Sequence, residues 1–114
     1  MSVLDLFNAP NPKDPASMAI WSFANQAHHI DIRRVLFEQT GLTYDQFILD
    51  PFDPKEIDRW VYWHQNMHES QNALLGIQGY DLTGVDFEDP DGLKDWVYNH
   101  ANEHYQAGQI LGLG

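Results

Sequence analysis

The chain contains no cysteine, which excludes disulfides, cysteine-type zinc fingers and iron–sulfur clusters together and says nothing about its compartment. Positive charge is also scarce: six Lys and Arg stand against 17 Asp and Glu in 114 residues, a formal net charge of -11. Such a surface repels phosphate backbones and anionic lipid alike, so neither nucleic-acid binding nor membrane association is expected. No apolar run approaches the roughly 18 residues needed to cross a bilayer, and no basic stretch followed by an apolar one opens the chain. An intracellular product, later built into an assembly, is the expectation. Catalytic signatures are missing as well. None of Ser2, Ser17, Ser22 or Ser70 sits in a Gly-x-Ser-x-Gly elbow, and Gly76-Ile77-Gln78-Gly79 lacks the lysine of a phosphate-binding loop.

What is present is a sentence written three times. Asp-Pro is followed by an apolar residue, a Trp, an aromatic, an Asn or His, and a second His. The copies are Asp14, Pro15, Met18, Trp21, Phe23, Asn25, His29; Asp53, Pro54, Ile57, Trp60, Tyr62, His64, His68; and Asp89, Pro90, Leu93, Trp96, Tyr98, His100, His104. Each runs on, without insertion, to an apolar pair: Val35-Leu36, Leu74-Leu75 and Ile110-Leu111. With 43% apolar residues in a chain of this length, the pattern predicts one all-α domain over 1–114, a three-helix bundle of three helical repeats at about 14–41, 53–76 and 89–112.

Asp at the N-cap and Pro at the first helical position start each helix, and Gly41, Gly76 and Gly112 end them, so the helices are expected at about 15–40, 54–75 and 90–111. Asp53 with Glu56 adds a capping-box pattern. A short extra helix is expected over Thr43–Leu49, and residues 1–13, with Pro10 and Pro12, read as an extended arm anchored by Val3, Leu4, Leu6 and Phe7. Connections of about 12 residues reach about 40 Å, more than the roughly 33 Å of a 22-residue helix, so three parallel helices are geometrically open. Short antiparallel links are the default, and an up-down-up order is expected.

On a helical wheel Met18/Ile57/Leu93, Trp21/Trp60/Trp96, Asn25/His64/His100, His29/His68/His104 and Leu36/Leu75/Leu111 share one stripe. The core is therefore expected to hold a polar layer of Asn25, His29, His64, His68, His100 and His104. Two His-x-x-x-His pairs have ligand spacing for zinc or another borderline metal, but no His-Glu-x-x-His or Glu-x-x-His accompanies them. The expectation is a hydrogen-bonded layer of neutral imidazoles with no cofactor, and a structural zinc on the five histidines is the alternative. Phe23, Tyr62, Tyr98 and Tyr105 fall opposite the stripe, where a partner would bind.

The segments Pro15-Ala16-Ser17, Trp21-Ser22-Phe23-Ala24-Asn25, His64-Gln65-x-Met67-His68 and Asn102-Glu103-His104-Tyr105-Gln106-Ala107-Gly108-Gln109-Ile110-Leu111-Gly112 resemble a family of small uncharacterised proteins of tailed bacteriophages, encoded among virion structural genes. That resemblance spans nearly the whole chain and implies a virion component made in the host cytoplasm. It carries no activity or site. The expected function is thus a non-enzymatic assembly protein with no catalytic residue, docking by Val3, Leu4, Leu6, Phe7, Phe23, Tyr62, Tyr98 and Tyr105 onto capsid, neck or tail proteins or onto copies of itself. The alternatives are a small metal-dependent helical enzyme and an acidic DNA mimic directed at a host defence system.

Overall fold

Where an aspartate precedes a proline, its carboxylate can take the amides that a first helical turn leaves free, and proline has no amide to lose. Asp14 Oδ1 accepts from the Ala16 amide at 3.1 Å, Asp53 Oδ1 from Lys55 at 3.0 Å and Asp89 Oδ1 from Asp91 at 3.2 Å. From these caps run α1 (Pro15–Thr40), α2 (Pro54–Leu75) and α3 (Pro90–Leu111). Each ends on a glycine in the left-handed region: Gly41 at φ 76°, Gly76 at 70° and Gly112 at 75°. The computed structural model describes residues 3–43, 53–86 and 88–113. Among them there is no β-strand. The short helix expected over 43–49 lies, from Tyr44 on, outside the described residues.

The up-down-up order is not what the chain adopts. The indoles of Trp21, Trp60 and Trp96, all near the starts of their helices, lie within 6.5 Å of one another by ring centroid. Ile32, Val35, Leu36, Ile77, Ala107 and Leu111, at the helix ends, form a separate apolar cluster with Leu75 against it. All three helices therefore point the same way, and residues at equivalent places in the three sequence copies meet at one level.

The reason lies in the connections. After Gly76 the chain runs back along the helices: the Leu82 amide donates to Gln65 Oε1 at 2.8 Å, and Trp96 Nε1 donates to the Leu82 carbonyl at 2.8 Å. A link long enough to return lets like pack on like, indole on indole and aliphatic on aliphatic, where antiparallel order would set indoles against Leu and Val. The molecule measures 39 × 24 × 24 Å, and its long dimension is the length of the 26-residue α1.

The N-terminal segment also departs from expectation. Val3–Phe7 is a 3-10 turn, not extended chain. Leu6 is fully buried in the cluster formed by Trp21, Trp60, Leu82, Leu93 and Trp96, and the Phe7 ring meets Tyr98 edge-on at 5.9 Å. Burying Leu6 is worth about 1.5–3 kcal/mol, and a helical turn brings Leu6 and Phe7 onto adjoining faces in a way that an extended strand, alternating sides, does not. The segment is a lid on the helix starts. Leu4 stays exposed, and the Val3 side chain lies outside the described residues.

Candidate metal centre

Between the indole layer and the aliphatic layer lies the histidine layer. α1 supplies His29; α2 supplies His64 and His68, one turn apart; α3 supplies His100 and His104 with the same spacing. All five are buried to within 1% of complete, and one ring nitrogen from each lies within 4.8 Å of every other. This is the set expected from the wheel, brought to one point.

The closest approaches form a row. His68 Nε2 is 3.4 Å from His29 Nε2, which is 3.2 Å from His64 Nε2; that nitrogen is 3.0 Å from His100 Nε2, itself 3.0 Å from His104 Nε2. A ring nitrogen of a neutral imidazole carries either one proton or one lone pair, directed in the ring plane. Five such nitrogens in a row can complete at most two hydrogen bonds among themselves, so the row cannot pair all five internally. Hydrogen bonding alone therefore leaves the layer short, in a place where water cannot make up the deficit.

The geometry is one that a metal ion could occupy. Nitrogens bound at about 2.0–2.1 Å lie about 2.8–3.4 Å apart at neighbouring vertices of an octahedron or tetrahedron, which spans the four contacts. Four of the imidazoles are also held in the required protonation state. Burial, reinforced by the neighbouring imidazoles, holds His29, His64, His100 and His104 well below the ordinary histidine value of 6.5. Neutral rings have lone pairs to give. Their planes are held in place by the layer above: Trp60 stacks on His64 at 4.2 Å and 21°, and Trp96 on His100 at 4.9 Å and 8°. The donor set fits a borderline first-row ion such as zinc, and these five residues could hold it.

Two further groups lie against these imidazoles, and neither was expected from the sequence. Glu103, fully buried on α3, places Oε1 3.6 Å from His68 Nδ1 and accepts from Asn72 Nδ2. At that distance the pair is an electrostatic contact, and His68 Nδ1 completes no hydrogen bond. His28 Nδ1 meets His104 Nδ1 at 2.6 Å; half-buried, it connects the layer to the surface. Burial lowers the His28 pKa, opposed in part by Asp31. Both residues immediately precede the second histidine of their copy, a shared offset that would have flagged them. Gly79 closes over this corner, where a Cβ would lie 2.7 Å from Glu103 Oε1 and closer still to Asn72. Gln71 is fully buried with neither amide atom partnered, and nothing in the structure explains it.

The expected partner surface separates from this core. Phe23, Tyr62, Tyr98 and Tyr105 are 63%, 70%, 60% and 41% exposed, whereas Leu6 is buried and Phe7 packs on Tyr98 within the chain. Asn25 is buried, as expected of the polar layer. Among the described residues no helix is long and apolar enough to cross a membrane. No family model, curated protein or solved structure matches the chain.

Proposed function

We infer that this protein is a metal-stabilised helical scaffold, a parallel three-helix bundle of three repeats tied at mid-height by one divalent ion, zinc first among candidates. The observation that carries the reading is the convergence of His29, His64, His68, His100 and His104 on one point, where hydrogen bonding cannot satisfy five nitrogens. Complete burial of the ligands favours a structural ion over a catalytic one, since a catalytic ion must be reached by its substrate.

Purified protein should hold about one zinc, nickel, cobalt or iron ion per chain. Stripping it with a chelator should lower the melting temperature, and zinc at about 1,000 times its Kd should restore about 4 kcal/mol, or roughly 10–20 °C. Magnesium and calcium, which prefer oxygen ligands, should do nothing. Less than about a tenth of an ion per chain, with no zinc-dependent shift in melting, would refute the reading.

A second element of function rests on a different observation: Phe23, Tyr62 and Tyr98, at equivalent places in the three copies, all stay exposed. Three large aromatics presented around a rigid core suit docking onto a protein surface, either copies of this chain or, if the likeness to tailed-phage proteins holds, capsid, neck or tail proteins.

A further inference from the structure

One place in the layer is not filled by histidine. Because the helices run in register, the residues one turn before His29, His68 and His104 share a level, and these are Asn25, His64 and His100. Asn25 stands one turn after Trp21 and one turn before His29. Both of those reach the axis, Trp21 to 5.6 Å from Trp96 and His29 to 4.3 Å from His104 by ring centroid, so the Asn25 side chain faces it between them. It is 3% exposed, and its Oδ1 has no hydrogen-bond partner, which is costly for a buried amide.

The indoles record the same asymmetry. Trp60 and Trp96 each stack on the imidazole one turn later, while Trp21, which has Asn25 there, lies tilted at 47° against His100 instead. An asparagine amide is shorter than an imidazole measured to Nε2. It stops short of the point on which the five nitrogens converge and leaves that side of the shell without a protein ligand. Charge favours filling it with more than a neutral group. Five neutral imidazoles leave a divalent ion its full charge, and Glu103 is the only buried carboxylate among the described residues, so a positive excess remains in a medium of low dielectric.

We propose that the Asn25 side of the histidine cluster is an exogenous-ligand position: a water on the metal, donating its O–H to Asn25 Oδ1, that exchanges for small monoanions. The proposal rests on the metal reading above and adds to its shell a position beside a buried, unpartnered amide oxygen.

Cobalt(II) is the probe, because its visible bands report both occupancy and ligand exchange. Wild-type protein loaded with cobalt should show those bands, and azide should shift them saturably. Asn25→His should take cobalt with its own imidazole in the sixth place and bind azide at least tenfold more weakly. Asn25→Ala should keep the azide response, because the position stays open. If Asn25→His does not give a folded protein by circular dichroism, Asn25→Leu fills the same space and should lose azide in the same way. Cobalt bands that azide leaves unchanged in the wild type, or an Asn25→His or Asn25→Leu variant that responds like wild type, would overturn the proposal while leaving the metal reading intact. A wild type that takes no cobalt would overturn both.

Discussion

One buried neutral imidazole needs an acceptor for its N–H and a donor for its bare nitrogen, and five aimed at one another cannot supply both to all; this packing of rings on rings sets the pH behaviour of the metal-free protein. His29, His64, His100 and His104 are held below 6.5 in the fold by burial and by each other. The unfolded chain, with ordinary histidines, therefore binds more protons between the folded and unfolded values, and stability rises with pH in that window. It should be fully present above pH 6.5 and fall as the pH drops below it, by up to about 1.4 kcal/mol per pH unit for each histidine. Denaturant titrations of chelator-treated protein between pH 7.5 and 5 would measure the slope, and a flat profile would contradict the packed neutral cluster. The five histidines and Asn25 were legible in the sequence because they fall on one stripe at helical spacing. Glu103 and His28 were not, since each lies one residue off that stripe, at positions that read as flank on a helix with two apolar faces.

Among the elements, the helices were the most legible and their directions the least. Asp-Pro at one end and glycine at the other are local signals, and Asp14, Asp53, Asp89, Gly41, Gly76 and Gly112 act as caps in the structure as they read in the chain. Direction is a property of the links, and a link that can reach back is compatible with either order. Only the identity of the layers, Trp21 on Trp60 and Trp96, decides it. The returning link is itself fitted to the site at Gly79, whose missing side chain admits Glu103 and Asn72. Gly79→Ala should therefore cost about 1–3 kcal/mol by overpacking and weaken zinc binding as Glu103 is pushed from His68. Urea melts with and without zinc would show both effects. An unchanged variant would mean that the link yields freely and that Glu103 is not held by it.

At the scale of the molecule, a rigid core and an aromatic exterior divide the work. If the outward rings dock copies of this chain, sedimentation should show association rising with concentration, and a Phe23→Ser, Tyr62→Ser double variant should remain monomeric. Its melting temperature should barely change, because side chains as exposed as these contribute within about 0.5 kcal/mol to folding. A wild type that is monomeric at every concentration would remove self-docking. Running the three helices the same way has a last consequence, which is electrical. Antiparallel helices cancel their dipoles; these add, each worth about half a charge at either end, so about 1.5 charges of polarity lie along a 39 Å axis. Asp14, Asp53 and Asp89 neutralise the positive end, but no last turn of the three helices holds a basic residue. At the opposite face the cap amides answer some of the last carbonyls, but no positive side chain of the last turns offsets the dipoles, so an already acidic protein has a head and a tail that a basic surface will distinguish.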